Sequence, residues 1–427
     1  MPEKVQTIVV GAGPAGSAAA YVLAKTGHEV MLVDRAQKPG EKNVSGCLLN
    51  GSVLEKLIPN VWEISPVERH VNKHRVSFLS GDSATTLEYS SGDSFASDNS
   101  TYTINRSKFD RWFSQMAENA GALLVEGVLV EGVIEDDQRV IGIRSDGEEV
   151  HADVVIAADG VNSMVSTDAG LKGTLEPSEM GLGVKEVYSL PREIIEERFG
   201  LEGSQGVAHS FLGCTLGEAG GGFLYTNLNT ISLGSVAHLS GFESGRLEAP
   251  ELVAPLKSHP LVRRMIAGGE LIEYSAHLVS ESGYSGMPKL YDDGIIVVGD
   301  AAGLVLNLGY AFEGMNYAIS SGIAAAQAVR NAVSAGDFSK SQLSSYWHHL
   351  EKWGIIGNLR RFKHAPDFLS NPRLHTEYAE TINAIARNTF KGEGQRKKML
   401  QLATHEMFSR VPLPYIMKDL LEALRAL

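Results

Sequence analysis

The sequence has 427 residues, 43% hydrophobic and 21% charged, a balance that belongs to folded globular chains and excludes low-complexity and collagen-like classes. With 51 acidic against 38 basic side chains the net charge is −13, which disfavours nucleic acid, since phosphate backbones are bound by clustered Lys and Arg. Two cysteines, Cys47 and Cys214, are too few for a disulfide framework or a four-thiolate iron–sulfur cluster, so a reducing, cytoplasmic setting and no metal site are expected.

The length allows two or three compact units. Residues 4–10 (KVQTIVV) read as an apolar strand that starts too early for a signal peptide to precede it. An alanine-rich helix from Ala15 to Thr26 and a second buried strand, Val30 to Asp34, complete a βαβ unit. A glycine-containing loop (36–52) leads to strands within Val76 to Tyr89 and at Thr101 to Ile104. Ser107 is the expected N-cap of an amphipathic helix reaching Ala120. Strands at 128–134, 139–144 and 150–151 form a meander, and Val154 to Ala158 returns to an apolar, central strand. From about 175 to 290 glycine-punctuated strands (181–188, 221–227, 231–238) alternate with helices at 192–199 and 250–267. Apolar strand 294–298 precedes a long helix, Phe312 to Ser334, and residues 339–427 are helical, broken at Pro366, Pro372, Pro412 and Pro414. No run of about 18 uncharged apolar residues announces a spanning helix, so any membrane contact is expected to be peripheral.

Gly11-Ala12-Gly13-Pro14-Ala15-Gly16 is a G-x-G-x-x-G turn placed directly between strand and helix. Gly11 permits the turn, Gly13 admits a pyrophosphate close to the backbone, and Gly16 lets helix and sheet approach. The helix start offers unpaired N–H groups and the positive end of the dipole. Asp34, 18 residues after Gly16, ends the second strand where a carboxylate accepts hydrogen bonds from a ribose. These features identify a dinucleotide site and leave FAD and NAD open. Two further segments lie at strand ends: Asp153 to Ser163, with Asp159-Gly160, and Gly299-Asp300-Ala301-Ala302-Gly303.

G-x-G-x-x-G, D-G and G-D-A-A-G in this order resemble the glutathione-reductase-like flavoproteins of the hydroxylase and geranylgeranyl reductase group. Arg106, in NRSKFDRWF, matches that group's cofactor-contacting arginine. Lys42-Asn43-Val44-Ser45-Gly46, Gly221 to Asn227, Glu273 to His277 and Gly303 to Met315 look like FixC, the cluster-free relatives of electron-transfer-flavoprotein:quinone oxidoreductase. The resemblance implies an α/β fold: a discontinuous glutathione-reductase-like FAD-binding Rossmann domain (1–75, 101–172, 291–335), an inserted β-rich substrate or quinone domain (76–100, 173–290) and a helical C-terminal region (336–427).

It also implies an FAD-dependent oxidoreductase that takes electrons from an electron-transferring flavoprotein (ETF) α/β pair. The acceptor is a quinone or a linked ferredoxin-like, FixX-type subunit, which would supply the cluster this chain lacks. A peripheral site on the inner face of the cell membrane is consistent with that role. The cofactor residues it implies are Gly11, Gly13, Pro14, Ala15, Gly16, Asp34, Arg35, Lys42, Ser45, Gly46, Arg106, Val128, Asp159, Gly160, Gly299, Asp300, Gly303, Leu306 and Asn307. Asn307 and Gly309 are placed to bring N–H donors to the pyrimidine end of a reduced flavin.

Some residues carry two readings. Cys47 is either close to the flavin, as in geranylgeranyl reductases that saturate isoprenoid double bonds, or a small buried apolar residue. His277 and Tyr274 are either donors to a quinone carbonyl or structural side chains. The apolar stripe of Tyr415 to Leu427 is read first as a docking face for the parent domain and second as a membrane contact. An NAD(P)H-dependent hydroxylase and a pure electron relay are the remaining alternatives.

Overall fold

A computed structural model describes residues 4–42, 47–91, 101–173, 176–243, 245–391, 396 and 398–427. The βαβ unit forms as its pattern dictates: strand Lys4–Val10, helix Pro14–Lys25, strand Val30–Asp34, the strands in parallel register with Val9 opposite Leu32. They lie inside an eight-stranded sheet whose main path runs 291–292, 295–297, 148–157, 4–10, 30–34, 123–126. Strand order reverses around the first strand, so the strand ends there open onto a crevice. Helix Pro14–Lys25 packs against the long helix Met315–Ala335. The approach is close enough that a Cβ on Gly322 would stand 2.1 Å from the Ala15 carbonyl oxygen.

A second, nine-stranded sheet has the path 270–280, 180–189, 230–238, 220–226, 205–212, 67–80, 101–104, 47–50. One face is buried in its own cluster, which includes Val184, Phe199, Leu224, Leu233 and Leu256. The opposite face of its strands 180–238 looks into the crevice of the first sheet. Arg69, fully buried, fastens the early strands to the later ones by donating to the carbonyl oxygens of Gln205 and Asn227 at 3.0 and 2.7 Å.

Several expectations are corrected. The 75/76 boundary cuts through one strand, Val67–Ser80, and segments 47–50, 67–75 and 101–104, expected in the cofactor domain, hydrogen-bond into the second sheet. Asn105, not Ser107, caps the helix Arg106–Asn119, its side chain accepting from Ser107 N at 3.1 Å. Residues 128–131 lie between strands Leu123–Glu126 and Gly132–Asp136, because Val128 N turns back to the Asp34 carbonyl. The last meander strand and the central apolar strand are one, Glu148–Ala157. Prolines 250, 255 and 260 divide the expected helix 250–267 into three short turns. The long helix begins at Met315, since Phe312–Glu313 pairs instead with Leu306–Asn307.

The last helix, Leu413–Ala426, overturns the docking expectation for its apolar stripe. Its inward face carries Asp419, whose carboxylate accepts from Arg373 at 2.5 and 2.6 Å, Asn371 at 2.8 Å and Tyr378 at 2.6 Å. That polar anchorage turns Leu413, Met417, Leu420, Leu421, Leu424 and Leu427 outward, all at least half exposed.

Candidate functional site: a cleft between two sheets

A cleft of about 610 Å³ runs from the glycine turn to the open face of the second sheet. At its first end Gly11 adopts φ +105°, and a Cβ there would lie 2.3 Å from the Ala158 carbonyl oxygen, so only glycine closes this turn. Gly13, Pro14 and Ala15 line the cleft just beyond. Gly16 does not line it; a Cβ there would meet the Gly11 oxygen at 1.9 Å, which makes Gly16 the residue that seats the helix. Asp34 is drawn to the turn by accepting from Ala12 N at 2.7 Å and Ala36 N at 2.8 Å. Arg35, Lys42 and Val128 complete this wall. Ser45 and Gly46 lie outside the described residues.

Farther in, Arg106 stands over the turn, with Nη2 about 4.0 Å from where a Gly13 Cβ would be. Two oxygens of buried Asp110 hold its guanidinium at 2.8 to 3.1 Å. Burial opposes the Arg106 charge, and the Asp110 charge and hydrogen bonds outweigh it, so the pKa rises. Asp159 and Gly160 face the same space. Asp159 Oδ2 accepts from Val165 N at 2.9 Å, whereas Oδ1 is buried with no hydrogen-bond partner among the described residues. Burial raises the pKa of this carboxyl against the opposing backbone N–H bonds. Asp300 and Asn307 also line the cleft, while Gly299, Gly303 and Leu306 form the turn and strand behind it.

An unsatisfied buried carboxylate oxygen, an open glycine backbone at a helix N-terminus and a clamped arginine fit an extended dinucleotide. The cleft lining runs on from Asp34 past Arg106 to Asp300 and Asn307, and of the two cofactors left open by the glycine turn the resemblance of these segments implies FAD. Bound there, FAD supplies the electron acceptance and release that no side chain in the cleft can provide.

The far end is built by strand alternation in the second sheet. Gly183 and Lys185 of strand Met180–Ser189 face the cleft, and so do Gly221, Phe223 and Tyr225 from strand Gly220–Thr226. His277, opposite Gly183, also lines the cleft; burial lowers its pKa, Asp300 opposes this, and Arg106, Arg35 and Lys185 add to it. Tyr274 is not part of the site: three residues along the same strand it has the opposite facing, and it is 47% exposed. Cys47 does line the cleft, half-buried; burial pushes its thiol up, and the Arg106 and Lys185 charges counter that. Cys214 is buried away from it.

Three titratable residues here escape sequence reading. Lys185 is 5% exposed with its pKa held down to about 7, chiefly by burial. Glu281, raised to about 7 by burial, accepts from Asn307 Nδ2 at 3.1 Å. Tyr225 is raised by burial and by Cys47. The signal that could have found Lys185 is the short charged pair Lys185-Glu186 set among apolar residues and glycines in a strand, GLGVKEV, both of whose faces prove to be covered.

Comparison with known proteins agrees with this division of the cleft. Residues 4–194 match the FAD binding domain family, 180–279 the ETF-QO, ubiquinone-binding family, and 365–427 the ETF-QO/FixC family C-terminal domain. The chain is 42% identical to FixC of Escherichia coli K12 over 400 residues, covering 92% of this chain and 93% of that one. Identity is 39% to FixC of Bradyrhizobium diazoefficiens (95% and 94% covered) and 37% to the probable electron transfer flavoprotein-quinone oxidoreductase YdiS of Escherichia coli K12 (100% and 99%). In fold it is similar to a geranylgeranyl bacteriochlorophyll reductase-like protein of Thermoplasma acidophilum, with TM-score 0.73 at 22% identity over 99% of each chain. The myxobacterial halogenase CndH follows at 0.65 and 18%, with 96% and 98% covered. The chain belongs to the ETF-QO/FixC family of FAD-dependent oxidoreductases.

Proposed function

We propose that this protein takes electrons from a reduced ETF α/β pair onto FAD and passes them to a quinone, with a ferredoxin-like, FixX-type subunit as a linked partner. The observation that carries the reading is the continuity of one cleft from the glycine turn to the strand face matched by the ubiquinone-binding family. On this reading Gly11 to Ala15, Asp34, Arg35, Lys42, Arg106, Val128, Asp159, Gly160, Asp300 and Asn307 hold FAD, backed by Gly16, Gly299, Gly303 and Leu306. His277 meets the acceptor. The partners' names come from the relatives, and their role here is tested by anaerobic titration with reduced ETF. Bleaching of the flavin absorbance is the expected result; none at all ends the proposal.

The outward apolar stripe of helix Leu413–Ala426 supports a peripheral membrane location for the same protein. Among the described residues no helix is long and apolar enough to cross a membrane. Sedimentation with quinone-containing liposomes should fall sharply in a Leu420→Glu, Leu424→Glu variant, and unchanged sedimentation would remove the stripe from the account.

Cys47 in the cleft favours one second reading, reduction of an isoprenoid double bond. Incubation with a geranylgeranyl substrate and a reductant discriminates: saturated lipid supports it, unchanged lipid rules it out.

A further inference from the structure

The second sheet offers the cleft a low floor: Gly183, Val236 and Gly221 are cross-strand neighbours, and all three line it. His277 stands at one edge of this row, opposite Gly183. At the other edge the C-terminal region closes over the strand ends. The Thr376 and Ala379 side chains there lie 3.2 and 3.4 Å from where Cβ atoms on Gly217 and Gly213 would be. The same segment also reaches the cofactor side, since a Cβ on Gly309 would be 3.0 Å from the Leu369 side chain. Between these contacts in the chain, His375 lines the cleft and is only 4% exposed. It ends the short turn Pro372–His375, which is fastened from behind where Asn371 and Arg373 donate to Asp419 of the last helix.

The hydrogen bonding of His375 fixes its tautomer. Nε2 lies 2.8 Å from the Leu369 carbonyl oxygen, which only accepts, so Nε2 carries the hydrogen and Nδ1 of the neutral ring carries a lone pair. Nδ1 is buried with no hydrogen-bond partner among the described residues. Burial lowers the pKa of the ring against the Leu369 bond and the Glu218 charge, so the neutral form prevails at pH 7 and above. Glu218 is itself paired to Arg246 at 2.9 Å, and His238, which also lines the cleft, is held down by burial and by His375. A buried acceptor without a donor is costly, and a ligand hydroxyl removes that cost. A quinone ring offers only carbonyl oxygens, whereas the product of its two-electron, two-proton reduction offers two O–H donors. We propose that His375 Nδ1 accepts a hydrogen bond from a hydroxyl of the quinol, and so distinguishes the reduced from the oxidised acceptor; this assignment rests on the quinone reading above. Through the same preference, His375 favours electron transfer onto a quinone already in the cleft.

The experiment uses the full FAD-loaded chain and anaerobic titration calorimetry. Ubiquinone-1 is titrated into oxidised protein and ubiquinol-1 into dithionite-reduced protein, so that neither pair exchanges electrons. His375→Phe should weaken ubiquinol-1 binding by roughly tenfold, the size of one lost hydrogen bond, and leave ubiquinone-1 within about twofold. His375→Asn, whose amide oxygen takes the place of Nδ1, should restore part of the ubiquinol-1 affinity. Melting temperature and flavin absorbance per protein show that each variant is folded and loaded; should His375→Phe fail either, His375→Leu carries the same comparison. An unchanged ubiquinol-1 Kd in the folded variant, or equal weakening of both forms, overturns the assignment while leaving the quinone reading intact. Absence of binding of either form by the wild type overturns both, and the ETF titration then stands alone.

Discussion

The two ends of the cleft are made by different means. The dinucleotide end is mostly backbone: a glycine turn, a helix start and one carboxylate folded back onto the turn it supports. The acceptor end is mostly side chain, presented by strands whose alternation decides what faces inward. Backbone sites tolerate little substitution because a misplaced atom has nowhere to go. Side-chain sites can change one residue at a time, which is how one scaffold serves reductases and halogenases of similar fold.

The largest effect should therefore come from the backbone end. Gly11→Val places branched carbon against the Ala158 carbonyl and should yield protein without flavin, read from the 450 nm absorbance after purification. Flavin retained at wild-type stoichiometry would break the contrast.

Next comes Glu281, whose folded-state pKa of about 7 lies above its ordinary value near 4.5. Between those values the unfolded chain loses a proton the folded one keeps, so stability falls as pH rises through this window, and the deficit is full above 7. Glu281→Gln should then stabilise the fold above pH 7 by up to about 3 kcal/mol, read as a higher melting temperature, and change little below pH 4.5. Equal gains at both pH values would mean that packing, not charge, is responsible.

The smallest contrast lies along one strand. His277→Ala should raise the quinone KM by roughly tenfold, the size expected for one lost hydrogen bond, while Tyr274→Ala should leave it within about twofold. Equal effects would show that both faces of that edge strand meet the substrate.

What could be read in advance follows the same division. Gly11 to Asp34 was legible because the turn, helix and carboxylate have fixed spacing dictated by peptide geometry and a ligand of fixed shape. Arg106 was legible only through family resemblance, whereas Asp300 was also marked by its place at the end of an apolar strand. Lys185 was hidden because Lys185 and Glu186 are adjacent, and adjacent charges in a strand read as solvent-exposed. Here one faces the cleft, and the other faces inward, where it meets Lys257 and Tyr188. Tyr274 was misplaced because its segment resembled the family as a block, whereas a strand assigns its residues to two faces one at a time. The C-terminal stripe was read as inward because apolar faces usually are; Asp419 and its three partners reverse that.

The passage of the chain back and forth between the sheets also dictates an order of assembly. Strand Glu148–Ala157 gains its parallel neighbour Ile295–Val297 only after the whole of strands 180–280 has been made. Strands 47–50, 67–80 and 101–104 likewise wait for Gln205–Leu212 before their sheet is whole. During synthesis the nascent chain therefore carries two unfinished sheets with open edges, the first from residue 4 to residue 297 and the second from 47 to 280, and their last strands emerge close together. Asp300 and Asn307 emerge only as both sheets are completed, so that wall of the cleft is the last to be assembled.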